Sequence, residues 1–167
     1  MEVFKSFINL FKNKNKDRNK LESVRSPIYG VGIYRTLDGD WILTEDSEDV
    51  NYFSVSVKCV RLEYDLFELD DALITEKVMD AIERTKNLPF PVESKAVSDV
   101  LEEFTGISWK EIIHNWEHTS VSLVNDVVHV APSKSEKNMD GFIYTDDLEF
   151  DISNKVAIGA AIRKSFS

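Results

Sequence analysis

The stretch "IYGVGIYRTLDGDWILTE", residues 28–45, has the pattern of a β-hairpin. Apolar and polar residues recur with a period of two on both sides of Asp38-Gly39, and an Asp-Gly dipeptide is a strong signal for a tight hairpin turn. The next segment, "NYFSVSVKCVRL" at 51–62, alternates in the same way. We therefore predict a meander of three consecutive antiparallel strands.

A helical pattern follows the meander. In "TEKVMDAIERTKN", residues 75–87, Val78, Met79 and Ile82 lie on one stripe, and Thr75 is a candidate N-cap residue. The segment "LPFPVE", residues 88–93, ends this helix because its two prolines cannot continue a helical backbone.

Two further short helices are predicted. The first is "SKAVSDVLEEFTG", residues 94–106, with Ser94 as a candidate cap and Gly106 as the C-terminal stop. The second is "SWKEIIHNWEH", residues 108–118, capped by Ser108. The residues of the first that we expect to face the core are Val97, Val100, Leu101 and Phe104.

The C-terminal third returns to strand patterns. The segment 119–133 reads as a hairpin that turns at Asn125-Asp126, and "GFIYT" and "LEFDI" supply two more strands. The chain ends in a helix over 154–166, whose predicted core residues are Val156, Ile158, Ala161 and Ile162. This order of elements predicts an α+β fold with a mainly antiparallel sheet, a central group of helices and a C-terminal helix.

Charge divides the chain into two parts. Residues 1–25 hold seven bases and three acids, a net charge of +4, whereas residues 26–167 hold 13 bases and 27 acids, a net charge of −14. An acidic body disfavours nucleic acid, since phosphate binding needs clustered lysine and arginine, and it favours a basic protein partner. We expect a single α+β domain over 26–167.

The N-terminal residues 1–25 form the other predicted segment, an amphipathic helix followed by a linker. Its apolar residues, at helical spacing, are Phe4, Phe7, Ile8 and Phe11. Such a basic helix either lies on a membrane surface or packs its apolar face onto the body. The chain shows no signal-peptide pattern and no long apolar stretch, so we expect a cytoplasmic protein without stable membrane insertion.

Few residues indicate catalysis. The single cysteine, Cys59, has the position of a buried strand residue, and one cysteine forms no internal disulfide. Gly30 and Gly32 lack the third glycine of a dinucleotide-binding fingerprint, so we expect them to allow twist or a bulge in a strand.

The three histidines give only a weak metal signal. His114 and His118 have the i, i+4 spacing of two metal ligands on a helix, but His118 falls where the helix is expected to end. His129 alternates with valines and is predicted on the solvent face of a strand. We therefore expect no catalytic residue, no cofactor and no metal.

Three stretches carry acids without matching bases: residues 38–50, 63–71 and 140–151. Aromatic residues are interleaved with the acids, a combination that is typical of protein interfaces, although acids facing outward also serve solubility. The candidate partner-binding residues are Asp38, Asp40, Trp41, Glu45, Asp46, Glu48, Asp49, Asp140, Tyr144, Asp146 and Asp147.

The chain resembles the immunity proteins of bacterial contact-dependent growth inhibition systems. The likeness is carried by "PFPVESKAVSDVLEE" (89–103), "GISWKEI" (106–112) and "VAPSK" (130–134), within a resemblance that runs over 27–167. It implies a cytoplasmic protein that binds and neutralises the C-terminal toxin domain, often a nuclease, of a cognate effector, without catalysis or metal. An acidic adaptor for another basic protein and a metal-dependent enzyme using His114 and His118 remain alternatives.

Overall fold

A seven-stranded antiparallel sheet forms the centre of the fold. The computed structural model describes residues 28–48, 54–87, 95–135 and 140–167. Across the sheet the strands follow the order β3-β2-β1-β4-β5-β6, and β7 pairs with β5 beside β6. The strands are β1 (Tyr29–Arg35), β2 (Trp41–Glu48), β3 (Ser54–Arg61), β4 (Glu117–Val124), β5 (Val127–Ser135), β6 (Phe142–Tyr144) and β7 (Leu148–Asp151). The predicted meander, hairpins and α+β class are confirmed.

Four α-helices accompany this sheet in the described residues. They are α1 (Asp71–Lys86), α2 (Val97–Thr105), α3 (Trp109–Asn115) and α4 (Lys155–Lys164), and a 3₁₀ turn at Leu66–Glu68 precedes α1. None of these helices is both long enough and apolar enough to span a membrane. The predicted segment 1–25 and the boundary at 26 lie outside the described residues, as do Ser94 and the proline pair of 88–93.

Both predicted hairpin turns are present, and backbone conformation explains their sequences. Gly39 has φ of 88° in the β1–β2 turn, a conformation that glycine adopts without a steric penalty. Asn125 and Asp126 have φ of 49° and 65° between β4 and β5, as the two central residues of a type I′ turn require.

The main core lies between one face of the sheet and the helices α1 and α4. Alternate residues of the strands, among them Ile33 and Val121, are fully buried against Ile74 and Ile158. The two helices approach so closely that a Cβ added at Gly159 would lie 1.8 Å from the carbonyl oxygen of Asp71. A glycine is therefore needed where α4 crosses the start of α1.

The opposite face of the sheet carries a smaller core. Tyr34 and Ile42 pack there against Leu101 of α2 and against Ile112 and Trp116 of the α3 region. Cys59 is half-buried at the edge of this cluster, and burial together with the charge of Asp46 raises its pKa to about 12. A thiol with such a pKa stays protonated and unreactive at neutral pH.

The first helix begins earlier than its sequence pattern predicts. Asp70 is the N-cap residue and its side chain accepts a hydrogen bond from the Leu73 amide at 2.8 Å. Thr75, the predicted cap, lies inside the helix, where it is buried and its hydroxyl donates to the Lys155 carbonyl at 2.5 Å. Its role is to join α1 to α4.

Three other helix predictions are also wrong in part. The N-cap position of α2 is Ala96, without a side-chain hydrogen bond, and not Ser94. Phe104 and Val156, both predicted to face the core, are exposed, Val156 to 61%. Gly106 and Ser108 end α2 and cap α3 as predicted, with Gly106 at φ of 72°.

Candidate interaction surface

The β1–β2 turn presents two of the predicted partner-binding acids to solvent. Asp38 and Asp40 are exposed, and Asp40 Oδ2 lies 3.2 Å from Arg61 Nη1 in an exposed ion pair. Leu37 beside them is among the most exposed large apolar residues of the described chain. The turn therefore combines acids with an apolar side chain that an incoming partner could cover.

Trp41 does not belong to this surface, although it was predicted there. The side chain is only 2% exposed, and its Nε1 donates to Asp65 Oδ1 at 2.9 Å. Its ring makes edge-to-face contacts with Phe67 and Phe166, at centroid distances of 5.3 Å and 4.8 Å. Trp41 is a core residue because its strand position faces α1 and α4.

Glu45 is likewise an interior residue. It is 1% exposed and accepts a hydrogen bond from Arg84 Nε of α1 at 2.8 Å. A buried carboxylate requires such a partner because desolvation of an unpaired charge is costly. Glu45 therefore links β2 to α1 and is unavailable to another protein.

Asp46 lies on the other face of the sheet, within a polar cluster. Thr44 Oγ1 lies 3.2 Å from Asp46 Oδ2, and it accepts a hydrogen bond from the Gly32 amide at 3.1 Å. A Cβ at Gly32 would come within 2.6 Å of that hydroxyl. Gly32 thus leaves room for the Thr44 side chain and is not the site of a bulge. The register shift of this region lies between Glu45 and Asp46, where β2 pairs with β3.

The second acidic stretch, residues 63–71, is mostly used by the fold. Asp65 accepts from the Trp41 indole and also from the Phe67 amide, where it caps the 3₁₀ turn. Asp71 accepts from Arg163 Nε at 2.8 Å, which joins α1 to α4. These acids satisfy backbone amides at the starts of helical turns and pair with a partly buried arginine, so they contribute little to a partner surface.

The third acidic stretch remains largely at the surface. Tyr144 is 40% and Leu148 36% exposed, but Leu148 pairs with Val130 on the α1/α4 face, whereas Tyr144 pairs with Ser133 on the opposite face. We name the region on the face of Tyr144 the β6–β7 surface; it comprises Tyr144, Asp146, Asp147 and Glu149.

Asp140 lies just before β6. Its side chain is exposed, and its carbonyl accepts from Trp109 Nε1 at 2.9 Å. Asp49 and the side chain of Glu48 lie outside the described residues.

An aromatic stack supports the β6–β7 surface from within the sheet. The ring of His118 stacks on Phe142 at 4.7 Å and contacts Tyr34 at 4.5 Å. Burial lowers the pKa of His118 to about 3, and its Nδ1 lies 2.7 Å from Ser133 Oγ. A neutral, buried imidazole therefore holds β6 against the strands β1 and β4.

The histidine pair considered for metal binding is separated in the structure. His114 is exposed in the last turn of α3, whereas His118 is buried in β4. The described residues instead bring His129, Asp147 and Glu149 together, with their ligand atoms within 4.8 Å of one another. Sequence reasoning missed this group because the pairing of β5 with β7 joins residues 20 apart.

No family model and no curated protein matches the chain. Among solved structures it is similar to a protein of unknown function from Neisseria meningitidis, with a TM-score of 0.58 and 14% identity over 87% of this chain and 97% of that chain. It is also similar to a chain of the CdiA-CT/CdiI toxin and immunity complex from Yersinia pseudotuberculosis, with a TM-score of 0.49 and 9% identity over 85% of this chain and 97% of that chain. The Neisseria likeness shows a shared fold.

Proposed function

We propose that this chain is an immunity protein that binds and neutralises the toxin domain of a cognate contact-dependent inhibition effector through its acidic surface. The observation that carries the proposal is the β6–β7 surface, where the exposed Tyr144 lies among three acids. The net charge of −14 over residues 26–167 and the sequence resemblance to such immunity proteins support it.

Two exposed acidic patches fit one partner. The β1–β2 turn and β6 lie at the same end of the sheet, because Arg35 pairs with Glu117, and His118 and Tyr144 both pair with Ser133. Three strand spacings separate β1 from β6, or about 14 Å. A standard interface buries about 800 Å² per partner, a patch roughly 30 Å across, so one protein can cover both patches.

A basic partner gains from this arrangement in two ways. Long-range attraction between opposite charges raises the association rate, which favours capture of the toxin before it acts. Close to contact, a partner of the wrong charge pattern leaves desolvated carboxylates unpaired, which penalises non-cognate binding. If the toxin is a nuclease, its phosphate-binding cleft offers the basic groups that these acids would pair with.

Co-expression with the C-terminal domain of the neighbouring effector tests the proposal. We expect restored growth, and an association rate that falls at least tenfold between low and high salt. The variant Asp38→Lys/Asp146→Lys should associate with the toxin domain at least about tenfold more slowly than the wild type at low salt. The control Asp80→Lys/Glu83→Lys makes the same charge change on exposed positions of α1 and should associate nearly as fast as the wild type.

Each outcome is decisive for one part of the proposal. Absence of binding and of protection would overturn the immunity function. Tight binding and protection with equal rates for the two double variants would keep the function and place the interface elsewhere. Binding of other basic proteins without protection would favour a general acidic adaptor.

A further inference from the structure

We propose that His129, Asp147 and Glu149 bind one divalent transition-metal cation of the zinc class. His129 lies in β5, Glu149 is its direct register partner in β7, and Asp147 precedes β7. Because Val128 and Val130 are fully buried on the α1/α4 side, His129 and Glu149 point to the opposite face of the sheet. The three side chains thus meet on a paired-strand frame.

The distances suit metal coordination. His129 Nδ1 and Asp147 Oδ1 are hydrogen-bonded at 3.3 Å, and a metal ion would replace the proton between them. Two tetrahedral ligands with zinc bonds of about 2.1 Å are separated by about 3.4 Å, so this pair already has the spacing of two ligands on one ion. Glu149 is exposed and its ligand oxygen is within 4.8 Å of the others, a gap that rotation of its side chain closes.

The charge balance of the group favours a cation. It holds two carboxylates, and in the part of the chain that the structure describes neither forms an ion pair with lysine or arginine. A divalent ion would offset both charges. Asp147 and His129 are half-buried, whereas Glu149 faces solvent, so the fourth position of the ion would be open to water.

The donor types select the metal. One imidazole nitrogen with two carboxylate oxygens suits zinc and neighbouring transition metals, while magnesium and calcium prefer oxygen alone. The chain has only three histidines and one cysteine. His118 is buried in the aromatic stack and Cys59 keeps its proton, so His114 and His129 are the nitrogen donors that a metal in solution can reach.

Calorimetric titration of the metal-free full-length chain with zinc chloride tests the site. We expect one zinc ion per chain and a rise in the melting temperature on zinc addition. His129→Ala and Glu149→Gln should weaken binding at least tenfold. His114→Ala removes the other accessible histidine, and Asp146→Asn removes a neighbouring acid; both should bind zinc as the wild type does.

Two results would overturn the site: no zinc binding by the wild type, or unchanged affinity in both His129→Ala and Glu149→Gln. Circular dichroism checks that the variants fold. If His129→Ala does not fold, the zinc affinity of Glu149→Gln alone decides whether the site exists, since Glu149 is exposed and its replacement should not disturb the fold. Asp147 and Glu149 also belong to the β6–β7 surface, so toxin binding is measured with a chelator present, which keeps the two tests separate.

Discussion

The acidic stretches 63–71 and 140–151 have similar compositions, but individual acids in them have different roles in the structure. In the first, Asp65 and Asp70 accept hydrogen bonds from backbone amides at the starts of helical turns. In the second, Asp146 is exposed, and no hydrogen bond or ion pair of the described residues involves its side chain. An acidic run in a sequence therefore indicates a partner surface only after the capping positions have been assigned.

The aromatic residues near these stretches differ in the same way. Trp41 is buried and bonded to Asp65, whereas Tyr144 is 40% exposed among the acids of the β6–β7 surface. The contact between Trp41 and Asp65 stabilises the fold, whereas Tyr144 lies on the surface that we propose for toxin binding. The following changes test this contrast, beginning with the largest expected effect.

Trp41→Ala should destabilise the protein by about 3–5 kcal/mol, because it empties a large buried site between the sheet and α4. Urea denaturation followed by circular dichroism measures the free energy of unfolding. Tyr144→Ala is the matched control and should cost less than about 1 kcal/mol, since its side chain is partly exposed. Equal losses in the two variants would remove the distinction between them.

Lowering the pH should destabilise the protein through His118, whose ring supports the β6–β7 surface. Burial lowers the pKa of its imidazole to about 3, below the value of about 6.5 in the unfolded chain. Between these values the unfolded state binds the proton more readily, so stability is full above pH 6.5 and is lost as the pH falls. The expected loss is about 1.4 kcal/mol per pH unit, or about 2 kcal/mol at pH 5.

The unfolding free energy measured from pH 7 to pH 5 checks this expectation. His118→Phe keeps an aromatic ring on Phe142 but has no titrating group, so its pH slope should be flatter by about that amount. His114 and His129 are present in both proteins and cancel in the comparison. An identical slope in the variant would mean that His118 becomes protonated without unfolding.

Asp65→Ala should cost about 1.5 kcal/mol, because it leaves the buried indole N–H of Trp41 and the Phe67 amide without their acceptor. Glu68→Ala is the control from the same acidic stretch and changes an exposed residue, so we expect a loss below about 0.5 kcal/mol. Thermal and urea unfolding of both variants gives the difference. A similar loss in the two would show that general charge, and not the position of Asp65, matters.

Local signals predicted those parts of the fold that depend on neighbouring residues alone. The turns at Asp38-Gly39 and Asn125-Asp126 were predictable because positive φ restricts the residue types that a tight turn accepts. The start of α1 was missed because Thr75 and Asp70 are both acceptable caps, and Thr75 instead lies within the helix, where its hydroxyl donates to the Lys155 carbonyl. That contact joins residues 80 apart, beyond what a local pattern contains.

The candidate surface was only partly predictable for a similar reason. Trp41, Leu43 and Glu45 alternate on one strand face, so their burial could have been inferred once that face was known to lie against helices. Which face receives the helices is set by tertiary packing. To predict that His129 and Glu149 are neighbours, the register of β5 with β7 must be known. No tight turn joins these two strands, so the sequence does not fix that register.

Asp70→Ala and Asp146→Ala compare the two acidic stretches with the smallest change. Asp70 accepts from the Leu73 amide as the N-cap of α1, so its loss should cost about 1 kcal/mol. Asp146 makes no such bond, and its replacement should change stability by less than about 0.5 kcal/mol. Toxin binding should show the reverse order, because only Asp146 lies on the proposed surface. If Asp70→Ala instead slowed association more than Asp146→Ala, the acids at the start of α1 would form the docking surface, and the capping role would not exclude recognition.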